Sequence, residues 1–369
     1  MKYYIIAGEA SGDLHGSNLI HQIKLKDAPA SIRCWGGDLM QNSGATLVKH
    51  YRDLAFMGFV EVMKNLPTIF KNLAFCKEDI LQFQPDILVL IDYPGFNLRI
   101  AKWAKQQNIK IAYYISPQVW AWKASRVKQM KQDIDKMICI LPFEKDYYKT
   151  VWNWNVEYVG HPLTEVIENW LTVNSQRSTV IQTKNIAVLP GSRKQEIQKK
   201  LPIMLSVAKH FTDYEFVVAK APGIEDEFYE TFLSLYPNVS SVKNDTYHLL
   251  SKSSAALVTS GTATLETALF GVPEVVCYKA NNISYQIGKR VVKIKFISLV
   301  NLIMDKLVVK ELIQDDLNAE NLKTELEQLL FDDVRKQQLE LDYKELWNKL
   351  YTDGSPSEKA ATIIYKMIK

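Results

Sequence analysis

At 369 residues the chain is longer than one hydrophobic core usually spans, so two domains are expected. With 47% hydrophobic and 23% charged residues it has the composition of a globular protein in water, and no apolar run approaches the roughly 18 residues of a membrane-spanning helix. The net charge of +4 is too modest for a polycationic tail, and Cys34, Cys76, Cys139 and Cys277 lie too far apart for a disulfide framework or a zinc site.

The first predicted element is the strand "KYYIIAG", which runs into "GEASGDLHG". Its spacing, G-x-x-x-G-x-x-x-G over Gly8, Gly12 and Gly16, is neither the dinucleotide fingerprint nor a Walker loop. Glu9 and Asp13 would repel a diphosphate but suit hydroxyls and amides, so this glycine-rich turn is better fitted to a sugar than to a phosphate. His15 lies within it, and an apolar-periodic helix follows through Leu14, Leu19, Ile20 and Ile23. The N-terminus "MKYYIIAGEA" lacks the apolar core and cleavage site of a signal peptide, so a cytoplasmic location is expected.

Next come a helical pattern, "MGFVEVMKNLPTIFKNL", and the wholly apolar strand "DILVLID". Asp92 ends that strand, where burial raises a carboxylate's pKa and substrates dock, so it is placed either as a general base or as a cap for the next helix. Asn97 and Arg99 follow on the turn, near enough to orient a polar substrate. The strands "KIAYYIS" and "KMICILP" complete the half. From Arg99 to Lys136 bases far outnumber acids and are interleaved with Trp120 and Trp122; Lys279 to Lys295 is also basic. Such stretches suit nucleic acid, an anionic membrane surface or a phosphorylated ligand, and equally a solvated helix face.

After a polar stretch beyond Gly160 the pattern restarts with "NIAVLPGSR", "YEFVVAKAPG", "AALVTSG" and "PEVVCYK". Near-continuous apolar strands separated by helices read as a parallel sheet covered on both faces, so the class is α/β with two doubly wound domains. Ligands of such sheets sit at the carboxyl ends of the strands, which implies a cleft between domains. In "LPGSR", Gly191 and Ser192 begin a turn from which Arg193 presents a guanidinium fork suited to phosphate, or simply reaches solvent. In "SGTATLE", Ser260 and Gly261 let backbone approach a ligand, and the helix start at Thr262 to Thr264 offers N–H groups to a diphosphate. Glu266 is placed to accept hydrogen bonds from a ribose diol, or to be solvated on a capped helix.

Taken in order, "AGEASGD", "MGFVEV", "IDYPGFN", "YYISPQVWAW", "LPFEKDYY", "VGHPL", "LPGSR" and "SGTATLE" strongly resemble the lipid-A-disaccharide synthases, glycosyltransferases of the two-Rossmann-domain GT-B type. The resemblance implies an acceptor-side domain over residues 1–165, a UDP-sugar-binding domain over 166–345, and a C-terminal helix over 346–369 that packs back on the first domain. It implies UDP-2,3-diacylglucosamine as donor and 2,3-diacylglucosamine 1-phosphate (lipid X) as acceptor, joined with inversion to the β-1,6-linked disaccharide 1-phosphate. Asp92 is then the base, while Arg193, Ser192 and the turn Ser260, Gly261, Thr262 and Thr264 hold the departing UDP. Glu266 becomes the ribose contact, with Asn301 and Glu311 carried over to the donor side. Gly8, Glu9, Ser11, Gly12, Asp13 and Asn97 fall on the acceptor side, Glu9 and Asp13 either contacting acceptor or supporting the domain. His161 suits a hinge or cleft wall and is left outside the catalytic set. No aspartate-rich motif lies near the diphosphate turn, so no metal and no other cofactor are expected.

Diacylated substrates require the enzyme to meet the membrane surface. On this reading Phe59, Val62, Met63, Leu66, Ile69, Phe70 and Leu73, beside Lys64 and Lys71, form an acyl groove or interfacial helix. The stretch holding Trp120 and Trp122 is the second candidate for docking to anionic inner-membrane lipid. Two other functions fit the same architecture: a UDP-N-acetylglucosamine 2-epimerase, which consumes no acceptor, and a non-catalytic sugar-nucleotide-binding module. Nucleic-acid binding fits the basic stretches alone and ranks last.

Overall fold

The computed structural model describes residues 1–54, 66–174, 184–281, 285–286 and 294–369. The chain divides into two compact units, Met1–Glu165 with Leu350–Lys369, and Val166–Lys349.

The first unit holds a parallel sheet built from β1 (Lys2–Ala7), β2 (Ser31–Gly36), β3 (Thr46–His50), β4 (Ile87–Ile91), β5 (Lys110–Tyr114), β6 (Lys136–Cys139) and β7 (Glu157–Tyr158). Their spatial order is β3-β2-β1-β4-β5-β6-β7. Every residue of β4, Ile-Leu-Val-Leu-Ile, is buried, as a strand covered by helices on both faces must be. Burying each such side chain contributes roughly 1.5–3 kcal/mol. The chain order reverses between β1 and β4, and Ala7 pairs with Ile91, so both strands end level and deliver Gly8 and Asp92 side by side. The last helix, Pro356–Ile368, returns to pack on the first, Ala10–Lys26.

The expected nine-residue glycine turn is shorter in the structure, because the helix begins at Ala10 and contains Gly12, Asp13 and Gly16. Intrinsic propensity disfavours glycine there, but tertiary packing outweighs it. A β-carbon on Gly12 would lie 3.1 Å from that of Ala7, and one on Gly16 would strike Met40 at 2.7 Å. These two glycines let the helix lie close against β1 and its neighbours.

The second unit repeats the plan with β8 (Asn185–Leu189), β9 (Glu215–Lys220), β10 (Val239–Lys243), β11 (Ser253–Thr259), β12 (Glu274–Tyr278) and β13 (Lys310–Ile313). The order is β10-β9-β8-β11-β12-β13, all parallel, with the reversal between β8 and β11. Leu189 pairs with Val258, so the turns after these two strands also leave the sheet together. Each unit is a Rossmann-like doubly wound domain. All four cysteines are buried and free. Among the described residues no helix is long and apolar enough to cross a membrane.

Candidate active site

Open α/β sheets bind ligands where their strand order reverses, at the carboxyl ends of the strands. In the first unit that point lies between Gly8-Glu9 and Asp92-Tyr93. Asp92 and Tyr93 both have left-handed backbone, with φ of 43° and 50°, a conformation that non-glycine residues adopt at an energetic cost. The surroundings over-determine it. The Asp92 N–H donates to the Tyr114 carbonyl at 3.1 Å, while the Asp92 carbonyl accepts from Asn97 Nδ2 at 2.7 Å and from the Tyr113 hydroxyl at 2.6 Å. The Tyr93 ring covers Gly8, and its hydroxyl donates to the Leu54 carbonyl at 3.3 Å.

This geometry places the Asp92 carboxylate at the start of the next helix. That helix, Pro94–Gln106, has Tyr93 as its N-cap residue, without a bond from the Tyr93 side chain, and the Asp92 carboxylate accepts from the Tyr93 backbone just before it. Burial, and then the negative charge of Glu9, push the Asp92 carboxyl up to about 7. A carboxylate of that basicity is matched to taking a proton near neutral pH.

Three residues expected on the acceptor side have different surroundings. Asn97 is fully buried under the turn, and its amide also donates to the Ile91 carbonyl at 3.2 Å and the Ile6 carbonyl at 3.4 Å. It supports the backbone of the Asp92 turn from below. Asp13 is buried, and accepts from the N–H groups of Gly37 at 2.7 Å, Met40 at 3.0 Å and Leu39 at 3.2 Å, so it braces the segment after β2. Gly12 is likewise buried under the packing described above. Ser11 is exposed and Glu9 half-buried at the sheet's edge. His15 and His161 are both buried, and burial pushes them down to about 4 and about 3, with each other's proximity adding to the shift of His161.

In the second unit the reversal point is framed by Gly191-Ser192-Arg193 after β8 and Ser260-Gly261-Thr262 after β11. Gly191 and Gly261 have positive φ, 114° and 153°. The helices Lys194–Leu205 and Thr262–Leu269 start here, capped by Arg193 and Gly261 without side-chain bonds, so their first N–H groups and dipoles face the turn region. Ser192 and Thr262 are exposed, as is Arg193, whose guanidinium donates to Glu196 at 3.0 Å. The Ser260 hydroxyl donates to the Ile297 carbonyl at 2.8 Å. Thr264 is buried and turns its hydroxyl back onto the Gly261 carbonyl at 2.9 Å, so its side chain braces the helix start and does not face outward. Glu266 accepts from the Tyr247 hydroxyl at 2.9 Å, and burial raises its pKa.

Asn301 and Glu311, expected as donor contacts, face each other. Asn301 is fully buried; its amide donates to the Val309 carbonyl and to Glu311, both within 2.9 Å, and its oxygen accepts from Val308 and Val309 N–H. Glu311 accepts from the N–H groups of Ile297 and Ser298. These bonds make the two residues hold the segment that anchors Ser260.

The two membrane-facing expectations divide. Phe59, Val62, Met63 and Lys64 lie outside the described residues. In the helix Leu66–Phe83, Leu73 is buried and Ile69 packs on the core, while Phe70 is 62% exposed. Of the tryptophans, Trp120 is held by Glu144 at 3.2 Å, and Trp122 is exposed with the Lys123 ammonium 4.1 Å from its ring centroid. Most of the neighbouring bases are already engaged, Lys105 with Asp135, Lys136 with Glu157 and Lys131 with the carbonyls of Trp152 and Asn153.

Sequence reasoning missed Tyr93, Tyr247, Glu196 and Lys200. Only the last two left a signal, an i, i+4 pair on the helix following the glycine turn.

Solved structures share this architecture at low identity. A UDP-GlcNAc 2-epimerase of Methanocaldococcus jannaschii, in complex with UDP-GlcNAc and UDP, superposes with a TM-score of 0.67 at 12% identity over 99% of this chain and 100% of that one. The calicheamicin glycosyltransferase CalG4 gives 0.61 at 14% over 99% and 98%. Isomerase and transferase alike carry the fold, so the fold does not choose between them. Sequence does: the family model for lipid-A-disaccharide synthetase matches residues 3–364. The lipid-A-disaccharide synthase of Syntrophus aciditrophicus is 35% identical over 99% of this chain and 97% of its own length. The chain thus belongs to the lipid-A-disaccharide synthase family, the GT-B-type glycosyltransferases of lipid A biosynthesis.

Proposed function

We propose that the enzyme transfers 2,3-diacylglucosamine from UDP-2,3-diacylglucosamine to the 6-hydroxyl of 2,3-diacylglucosamine 1-phosphate. Asp92 removes the hydroxyl proton as the oxygen attacks the anomeric carbon from the face opposite UDP. The bond from that carbon to the diphosphate breaks, and the configuration inverts from α to β. Arg193, with the N–H groups at the starts of Lys194–Leu205 and Thr262–Leu269, offsets the charge on departing UDP, and Ser192 and Ser260 line the same turns. Glu266, its second partner being Tyr247, takes the ribose hydroxyls. Glu9 and Ser11 face the acceptor, with Gly8 allowing its approach. Protein groups supply the positive charge, so the reaction proceeds in EDTA. Trp122 with Lys123, and Phe70, rest against the anionic inner-membrane surface that delivers both lipids.

The observation that carries this reading is the carboxylate pair at the first reversal point, Asp92 raised to about 7 beside Glu9. Inversion of anomeric configuration by single displacement needs one base of that kind. Mass spectrometry of products from both substrates in detergent micelles with EDTA tests it. Tetraacyl disaccharide 1-phosphate with stoichiometric UDP, formed only when acceptor is present, is expected; UDP release or epimerised donor without acceptor contradicts it.

A further inference from the structure

Lys200 is 97% buried by exposure of 3%, an uncommon place for an ammonium. It lies on the helix Lys194–Leu205, one turn beyond Glu196, and donates to the hydroxyl of Thr259, the last residue of β11. Glu196 joins it on one side, Oε2 lying 3.6 Å from the ammonium, and accepts from Arg193 on the other, at Oε1. A β-carbon on Gly191 would sit 3.3 Å from Glu196 Oε2, 3.3 Å from Thr259 and 3.5 Å from the Lys200 ammonium. The chain Arg193, Glu196, Lys200, Thr259 thus wraps the Gly191 turn and ties the end of β8 to the end of β11.

We propose that Lys200 is a positioning residue for the donor, fixing through Glu196 the direction of the Arg193 guanidinium and, through Thr259, the spacing of the two turns that receive the diphosphate. The inference rests on the donor reading given above. A buried ammonium is costly in desolvation, and a methionine would fill its volume without that cost. Burial indeed lowers the pKa of Lys200, with the nearby Arg193 charge acting in the same direction and Glu196 opposing both. Local folding alone does not call for a cation here. Holding a flexible, 56% exposed arginine in one direction does, because a fixed guanidinium loses less rotamer entropy on meeting phosphate.

The test is a double-mutant cycle on the full chain, with UDP titrated calorimetrically and thermal melts run in parallel. Lys200→Met is expected to melt at or above the wild-type temperature yet bind UDP about tenfold more weakly, the loss of one charge-assisted hydrogen bond. In an Arg193→Ala background the same substitution is expected to cost clearly less, only the part that acts through Thr259. If Lys200→Met abolishes cooperative melting, Thr259→Val replaces it, with weaker UDP binding expected in both backgrounds and wild-type UDP affinity overturning the inference. Wild-type UDP affinity in Lys200→Met, with Arg193→Ala weakened, overturns the inference and leaves the donor reading intact. Equal losses from Lys200→Met in both backgrounds overturn the route through Arg193. Undiminished UDP binding by Arg193→Ala removes the donor reading itself, and the inference with it.

Discussion

The ring of Tyr93 occupies the space that a β-carbon on Gly8 would need. Through that contact the first turn of the sheet's reversal point is shaped by the second, and the left-handed backbone at Asp92 and Tyr93 is held from the side as well as from below.

Gly8→Ala is therefore expected to push the ring aside and release the Asp92 turn. Overpacking of this kind costs about 1–3 kcal/mol, and a misplaced base costs rate far beyond what the stability loss explains. Urea melts and steady-state kinetics on the same preparation check this; a variant with reduced stability but unchanged kcat would separate the contact from catalysis.

In the proposed mechanism Asp92 works as a base only when ionised, so kcat/KM is expected to rise with pH to a plateau, with its midpoint near 7 in the free enzyme. Glu9 raises Asp92 by like-charge repulsion, so Glu9→Gln is expected to move that midpoint toward lower pH. A pH–rate profile of the pair reads the shift; a midpoint that stays put would remove Glu9 from the electrostatics of the base.

Asn97→Ala leaves up to three backbone carbonyls short of a donor, including that of Asp92. A loss of about 1–3 kcal/mol is expected, with kcat reduced and UDP affinity retained. Asn301→Ala is expected to cost a similar amount, but to weaken UDP binding through the segment that anchors Ser260. Chemical denaturation paired with UDP titration distinguishes the two.

Glu274, at the start of β12, is 1% exposed, with no hydrogen-bond partner for either carboxylate oxygen among the described residues, and burial raises its pKa well above the ordinary 4.5. The folded state keeps the proton that the unfolded chain releases above about 4.5, so this residue's contribution to stability is present at low pH and is lost as pH rises. Glu274→Leu is expected to stabilise the protein at pH 8 by about 1–3 kcal/mol and to do less at pH 4. Denaturant melts at both values measure the difference.

Much of this was legible from residue order. Apolar runs such as "ILVLI" disclose a sheet covered on both faces, and the places where those runs meet Gly8, Asp92, Gly191 and Gly261 mark the strand ends where ligands bind. What the sequence does not carry is the direction of a polar side chain once it reaches such an end. Asn97, Asp13, Asn301 and Glu311 have the polarity and position of ligand contacts, yet each satisfies backbone groups that the turns leave unpaired. Asp92 differs because its backbone groups carry most of the local hydrogen bonds, while its carboxylate accepts from the Tyr93 backbone and is otherwise governed by burial and Glu9. The same indifference hides the helix start at Ala10, since the close approach that makes Gly12 and Gly16 acceptable is a property of the packed fold.

The most direct test of the central claim is the rate of disaccharide formation by Asp92→Asn at saturating donor and acceptor. The account predicts a fall of about 10²–10⁴-fold, with UDP affinity and melting temperature near wild type. Disaccharide formed at close to the wild-type rate would show that the proton leaves the acceptor by another route.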